Sequence, residues 1–179
     1  MKRALFRLAL TAATLIVVAA LVAFLALRGS LPSLDGEIAV NGLASGATIE
    51  RDADGIPVIR ASDRTDLAFA TGFVHGQDRF FQMDMIRRQA AGELSELVGG
   101  VAIETDKRHR FHRFRSRAQS VIAAASESDR AMLSAYSDGV NAGVQSLRMR
   151  PFEYFVIGAE PKPWIPEDSL LVVYAMYMQ

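Results

Sequence analysis

An uncharged run of 20 residues, from position 8 to position 27, constrains this chain more than any other feature. A helix of about 20 apolar residues is long enough to cross the hydrocarbon core of a bilayer. Basic residues flank the run on both sides: Lys2, Arg3, Arg7 and Arg28. Because the amino-terminal basic cluster is retained in the cytoplasm, the run predicts a membrane helix that leaves the rest of the chain on the opposite side.

A cleaved signal peptide is the alternative interpretation of the same run. Signal peptides usually have a shorter apolar region, of roughly 7–15 residues, followed by a small-x-small cleavage site. Here Arg28 follows the run directly, and the small residue pairs lie within it. We therefore expect residues 1–28 to be an uncleaved anchor rather than a signal segment. The protein would then be a single-pass protein of the cell membrane, with its bulk on the periplasmic or extracellular side.

The charge balance and the lack of cysteine exclude several function classes. The 20 basic residues equal the 20 acidic residues, so no net charge favours nucleic acid as a partner. Without cysteine, the chain has no disulfide, no thiolate nucleophile and no cysteine-bound metal. One basic cluster spans residues 106–117. We interpret it as a solvated helix face with an inward apolar stripe, and contact with an anionic membrane surface is the alternative.

Beyond the anchor, the pattern predicts an α+β chain that is mostly helical. Residues 29–46 are rich in Gly, Pro, Ser and Asn, which predicts a linker with one short strand near residues 37–40. Two β-rich stretches flank the Asp54-Gly55 pair and predict a hairpin over residues 47–61. Pro57 cannot donate to a ladder, so the second strand is expected to begin at an edge or a bulge.

A helical lobe is predicted over residues 62–179 from apolar residues at three- and four-residue spacing. Its helices are expected to begin at Ser62 or Asp63, at the Ser126–Asp129 cap and after Pro166. The first helix is expected to end at Gly99-Gly100. One inward stripe is predicted to consist of Phe111, Phe114, Ala118 and Val121.

Candidates for catalysis and metal binding are few. A histidine and a carboxylate three residues apart, as in His75 and Asp78, can form an oriented general base. No G-x-S-x-G elbow accompanies them, and no activating partner lies near the helical serines Ser95, Ser120, Ser126 and Ser134. We therefore predict a structural role for His75. His109 and His112 have helical ligand spacing, but the arginines around them disfavour a cation, and we predict no metal site there.

Charged residues alternate in sign along the first long helix: Asp84, Arg87, Arg88, Glu93 and Glu96. This spacing predicts pairs within the helix, each worth about 0.2–0.5 kcal/mol. Asp78 and Arg79 lie among phenylalanines, and we expect them to pair with each other as a partly buried structural anchor.

A long stretch of the chain, "IERDADGIPVIRASDRTDLAFATGFVHGQDRFFQMDMIRRQAAGELSELVG", carries several linked motifs. The residues that form them are Arg51, Asp52, Gly55, Pro57, Ile59, Ala61, Gly72, Phe73, Gln77, Asp78, Arg79, Gln82, Met83, Arg87, Arg88, Gly92, Glu96, Leu97 and Gly99. Together they resemble the amino-terminal part of the penicillin acylases (penicillin amidases). The segments "YSDGVNAGV" and "PKPWIPEDSL" also fit, so the resemblance covers residues 49–179, and the leader with "SLPSLDGEI" resembles anchored, exported members.

The resemblance implies an amide hydrolase of the amino-terminal-nucleophile class, with an αββα core to which the hairpin would belong. In such enzymes a precursor cuts itself into an α chain and a larger β chain, and the β chain begins with the catalytic serine. The oxyanion donors and most of the calcium site of many members also belong to the β chain. We therefore expect no catalytic, metal or cofactor site within these residues, and the β-chain portion of the same precursor as the partner.

The carboxyl end of the sequence indicates a piece of a longer protein. Its last apolar helix runs to Gln179 without a glycine, a basic turn or a following proline, so we expect the α-chain region to continue past it, with the calcium-binding glutamate beyond. By resemblance, residues 174–179 match the segment that lines the acyl pocket, and Tyr177 is the substrate-binding candidate, with an ordinary core aromatic as the alternative. The small acylated-amine substrate is a β-lactam, an acyl-homoserine lactone or another amide. A non-enzymatic, membrane-anchored helical module that binds a partner through residues 106–117 is the alternative function.

Overall fold

A computed structural model describes residues 2–178 of the chain. Its elements, in chain order, are α1 (Lys2–Gly29), β1 (Ala47–Arg51), β2 (Pro57–Ala61), α2 (Arg64–Ala91), α3 (Ser95–Val98), a 3₁₀ turn (Gly100–Ala102), α4 (Ile103–Arg110), α5 (Phe114–Ala124), α6 (Glu127–Ser146), α7 (Phe152–Ile157) and α8 (Pro166–Met176). The chain is thus mostly helical with one two-stranded antiparallel sheet, as the sequence predicts. Gln179, the expected end of the last helix, lies outside the described residues.

The predicted hairpin is confirmed. Strands β1 and β2 pair in antiparallel register from Ala47 opposite Ala61 to Arg51 opposite Pro57. Pro57 therefore begins its strand, at the end of the ladder, where its missing N–H is tolerated. The strand predicted near residues 37–40 is wrong, because this segment adopts no ladder pairing and runs as an irregular linker.

Helices α2 and α6 pack together through glycines. The contact consists of Gly72 and Gly76 in α2 and of Gly139 and Gly143 in α6. A β-carbon on Gly72 would lie 2.1 Å from the carbonyl oxygen of Tyr136, and one on Gly139 would lie 2.0 Å from that of Phe69. Since residues four apart share one helix face, each helix presents a two-glycine groove to the backbone of the other.

The main core lies where the second half of α2 meets α6, α7 and the loop before α8. Its buried members are Phe80, Met83, Leu97, Val140, Tyr154 and Trp164. Helix α2 is interrupted at Arg79, whose φ of −148° and ψ of 23° leave the helical region. The predicted pair of Asp78 with Arg79 is wrong. Asp78 instead accepts two hydrogen bonds from Arg51, at 2.8 and 2.9 Å, which ties α2 to the hairpin beside the interruption.

Local capping signals were predictive for the starts of the helices. The Asp63 carboxylate caps α2 by accepting from the backbone N–H groups of Thr65 and Asp66, and Ser126 caps α6. Helix α8 begins at Pro166 itself, slightly earlier than the predicted start after this proline. These starts are set within a few residues of the cap, so they can be read from the sequence.

Two predictions about helix extent are wrong. Helix α2 ends at Ala91 rather than at Gly99, because Gly92 adopts a left-handed conformation with φ of 69° and closes the helix. Phe111 is not part of an inward stripe. It lies in the turn between α4 and α5 and is 86% exposed. Since the two helices are separate, a single periodic face does not run through that segment.

Helix α1 differs from every other helix of the described chain in its surroundings. It is the one helix among residues 2–178 that is long and apolar enough to cross a membrane, and none of its most apolar window is buried by the protein. A helix that is apolar on all sides requires an apolar environment around it. The helix is therefore compatible with a membrane anchor or a signal segment.

Candidate functional site

A buried ion network centres on Asp84 in the second half of α2. The Asp84 carboxylate has 0% of its surface exposed. Its Oδ1 accepts hydrogen bonds from Nε of Arg87 at 2.7 Å and from Nε of Arg88 at 2.8 Å. Its Oδ2 accepts from the hydroxyl of Tyr154, in α7, at 2.7 Å. A buried carboxylate is tolerated when each oxygen is paired in this way.

The guanidinium of Arg87 extends the network from α2 to α8. Its Nη atoms donate to the carbonyl oxygens of residues 162 and 163, each at 2.8 Å, and Nη1 also donates to Asp168. The rings of Phe80 and Trp164 lie 5.8 and 5.1 Å from its central carbon. These contacts satisfy a buried cation through hydrogen bonds, a carboxylate and aromatic faces together.

Asp168, in the first turn of α8, connects the network to α5. Its Oδ1 accepts from Arg115 at 3.2 Å, and its Oδ2 accepts from the backbone N–H of Ile165 at 3.0 Å. Arg115 also forms a two-pronged pair with Glu93, with both N–O distances at 2.6 Å. One carboxylate therefore caps α8 and fixes it against α2 and α5 at the same time.

The pKa values of three groups in and beside this network are shifted by their neighbours. Burial, with the neighbouring carboxylate of Asp84, raises the pKa of the Tyr154 hydroxyl far above its usual value. The hydrogen bonds to Glu93 raise the pKa of Arg115. The hydrogen bond from Lys162 lowers the pKa of Glu96, which also accepts from Arg88 at 3.2 Å. Tyr154 thus remains a proton donor, and the surrounding charges stay opposed.

The sequence predicted part of this network but not its environment. The pairs of Asp84 with Arg87 and Arg88 do form within α2. The prediction of independent, weak pairs is wrong, because all three side chains are buried, Asp84 also bonds to Tyr154 of α7, and Arg87 also bonds to Asp168 of α8. The roles of Tyr154, Arg115 and Asp168 in the network were not predicted from the sequence. Only Asp168 had a local signal, namely an acidic residue in the first turn after a helix-starting proline.

Every charged group at the centre of the network is occupied by a protein partner, so the network is built to position helices. What it positions is α8, whose carboxyl end carries Tyr177. This side chain is 85% exposed, so Tyr177 is not a core aromatic of the described chain. Tyr174, one turn earlier, stacks on Phe114 at 5.0 Å between ring centroids. The role of Tyr177 in substrate binding stays a prediction.

His75 contacts a tyrosine rather than the acid suggested by the sequence. Its Nδ1 lies 2.9 Å from the hydroxyl of Tyr136. Burial, together with the charge of Arg79, lowers the pKa of His75, and the opposite charge of Asp78 offsets this in part. Burial raises the pKa of Tyr136 to about 12. Because the Asp78 carboxylate pairs with Arg51, it does not orient the imidazole as in a general-base pair.

The basic segment 106–117 is partly used inside the protein. Asp106 is buried and accepts from the backbone N–H groups of Leu94 and Ser95, at 2.9 and 2.8 Å. Burial opposes its charge, but these hydrogen bonds outweigh burial and lower the pKa of Asp106. Arg110 donates to the carbonyl oxygen of Gly92 at 2.7 Å. The segment therefore closes the α2–α3 turn and is not simply a solvated face.

His109 and His112 are the two histidines whose spacing could suit a metal ion. Burial, with His112 and Arg108 nearby, lowers the pKa of His109. Among residues 2–178, no three histidine or carboxylate side chains converge as a metal-ligand set. His112 instead stacks on Phe114 with ring centroids 5.1 Å apart.

The chain is similar to several known acylases. The penicillin acylase 2 proenzyme of Pseudomonas sp. strain SE83 is 40% identical over 148 residues, which cover 83% of this chain and 19% of that protein. The acyl-homoserine lactone acylase QuiP of Pseudomonas aeruginosa is 38% identical over 144 residues, which cover 80% of this chain and 17% of that protein. The chain thus spans about a fifth of the length of the curated relatives it matches.

A solved structure and a family model agree with these relatives. The thermostable penicillin G acylase from Alcaligenes faecalis superposes with a TM-score of 0.68 at 28% sequence identity, over 75% of this chain and 73% of the matched chain. The family model described as penicillin amidase matches residues 46–179, which include the hairpin, the ion network and α8. The chain therefore belongs to the penicillin amidase family.

Proposed function

We propose that this chain is the amino-terminal part of an exported hydrolase that cleaves a linear amide C–N bond. Membership of the penicillin amidase family and similarity to acylases support this proposal. The observation that carries it is the complete pairing of the network around Asp84 and Asp168. Groups paired in this way hold α8 in place, and the reacting groups belong to a segment outside these 179 residues.

In the proposed reaction, an amino-terminal serine of that segment supplies the nucleophile. Its hydroxyl attacks the amide carbonyl carbon while its own α-amine accepts the hydroxyl proton. Asparagine and backbone N–H groups stabilise the oxyanion. The C–N bond then breaks, the amine leaves with that proton, and water hydrolyses the acyl-serine ester to a carboxylic acid.

The described residues would support this chemistry from one side. The hairpin β1–β2 would add strands to the αββα core of the assembled enzyme, with the β-chain portion of the same precursor as partner. The exposed end of α8 would place Tyr177 against the acyl group of a small acylated amine. Calcium, if the whole enzyme uses it, would be held mainly by residues outside this chain.

Export rests on α1, which we propose is retained as a single-pass anchor in the cell membrane. Its apolar surface is left uncovered by the lobe, and basic residues in its first turns precede the uncharged run. The lobe would then lie on the periplasmic or extracellular side.

The decisive experiment compares the 179-residue chain with the product of the same coding region read past Gln179. We expect the longer product to hydrolyse a phenylacetyl amide or an acyl-homoserine lactone, and to be split into two chains. The 179-residue chain should have no activity. Turnover by the shorter chain would contradict the proposal, and an immediate stop codon would favour a non-enzymatic anchored module.

The proposed role of Tyr177 is tested in the longer product. The Tyr177→Ala substitution should raise KM by a larger factor than it lowers kcat, because the side chain would bind the acyl group without taking part in the chemical step. Phe111→Ala is the matched control, since Phe111 is also highly exposed and lies at the α4–α5 turn. If both variants changed KM by the same factor, Tyr177 would not be part of the acyl-binding pocket.

A further inference from the structure

The carboxyl end of α1 is fixed to the helical lobe rather than joined to it by a free linker. Ser30 donates its hydroxyl proton to the carbonyl oxygen of Arg150 at 2.8 Å. The backbone N–H of Met149 donates to the carbonyl oxygen of Gly29 at 3.0 Å. Gly29 and Ser30 are both buried by these contacts. The last turn of the apolar helix therefore has a defined position against the loop that leads into α7.

Helix α7, which follows that loop, presents an apolar face to solvent. Phe152, Phe155 and Val156 have the i, i+3, i+4 spacing of one helix face, and all three are exposed, with Val156 at 79%. A groove of about 270 Å³ joins this helix to the anchor, since residues 30–32 and 151–153 line it together. The exposed face of α7 is thus continuous with the point where α1 leaves the lobe.

The charges around this face suit a bilayer surface. Arg28 and Arg148 are exposed and form no ion pair among residues 2–178. Arg150 covers the ring of Phe155 at 4.4 Å and pairs with Glu160. Basic side chains and aromatic rings beside an apolar patch are typical of segments that lie at the headgroup level.

We infer that the face formed by Phe152, Phe155 and Val156 rests on the outer surface of the same bilayer that α1 spans. This inference depends on the retained anchor of the proposed function. The occupant is the lipid surface because the anchor leaves the bilayer at the groove that borders this face. The lobe is then held in one orientation, with α7 against the membrane.

The experiment uses the lack of native cysteine. A single Val156→Cys substitution is labelled with an environment-sensitive fluorophore in the 179-residue chain, which is reconstituted in nanodiscs of phosphatidylcholine and phosphatidylglycerol that carry nitroxide-labelled lipids. Phe111→Cys is the matched control, since both positions are highly exposed, at 79% and 86%. Emission of the buried Trp164 checks that both variants are folded.

We expect the Val156 probe to be quenched by nitroxides roughly 5–10 Å below the headgroups, while the Phe111 probe remains in water. Labelled Phe152→Cys should behave like the Val156 variant. Equal quenching at positions 156 and 111, whether high or absent, would overturn the inference. Amide hydrolysis is measured separately on the longer product, so a solvent-exposed Val156 probe on an active enzyme rejects this orientation alone.

Discussion

The most apolar segment of this protein is exposed, and one of its most charged segments is buried. No part of the most apolar window of helix α1 is buried by the rest of the protein. The second half of α2 instead buries Asp84, Arg87 and Arg88 among aromatic rings. The contrast teaches that each segment is matched to its surroundings as a whole. A uniform apolar surface requires an apolar environment, and a buried charge requires a complete set of partners.

Removing the charge of the buried Asp84 should destabilise the protein more than any other change proposed below. Asp84→Asn keeps the size of the side chain but leaves two buried guanidinium groups with less negative charge. We expect it to lower the free energy of unfolding by about 3–5 kcal/mol, because an uncompensated buried charge is costly. Urea unfolding in detergent, followed by Trp164 fluorescence, measures the change.

Asp138→Asn is the matched control for this variant, since Asp138 is an exposed aspartate within helix α6. Its effect should be within about 0.5 kcal/mol. If both variants unfolded at the same urea concentration, the network would not hold the lobe together.

The second prediction breaks the apolar half. Val18→Asp places a charge near the middle of α1, at a cost of about 2.5–3.5 kcal/mol for insertion into a bilayer. We expect the variant to shift from the membrane to the soluble fraction, while the unfolding of the lobe is unchanged, because among residues 2–178 the hydrogen bonds that attach α1 to the lobe lie at the carboxyl end of the helix. Val18→Leu should stay in the membrane. Loss of lobe stability in Val18→Asp would mean that α1 belongs to the folded core.

The fold and the ion network could be predicted from the sequence only where the residues that determine them are close together in the chain. Asp63 and Ser126 cap helices through groups within three residues, and the Asp54-Gly55 turn sets the hairpin, so the sequence predicts both. Asp84 is different. It is buried by Tyr154, 70 residues away, and no spacing within α2 reports that contact. Helical periodicity also cannot show that Phe111 lies in a turn, since the pattern continues across the break.

The glycine contact between α2 and α6 is buried like the ion network but carries no charge. Gly139→Ala would bring a β-carbon within 2.0 Å of the Phe69 carbonyl oxygen, so α2 and α6 must move apart. We expect a loss of about 1–3 kcal/mol, as for other overpacked cores. Gly100→Ala is the control, because its nearest neighbour, Ile103, would lie 3.9 Å away. A loss for Gly139→Ala comparable to that of the control would show that the two helices are not held by backbone approach.

The smallest expected effect concerns His75, a partly buried group that is neither fully paired like Asp84 nor exposed like α1. Burial lowers its pKa from 6.5 in the folded protein, so the unfolded chain binds a proton first as the pH falls. The contribution of His75 is therefore fully present above pH 6.5 and is lost as the pH falls through 6.5 toward the lower folded-state pKa. Urea midpoints of the wild type and of His75→Gln, measured at about pH 8 and about pH 5.5, should show a smaller loss for the variant. Parallel decreases in the two proteins would assign the acid sensitivity to another group in this pH range, such as His109, whose pKa is also lowered by burial.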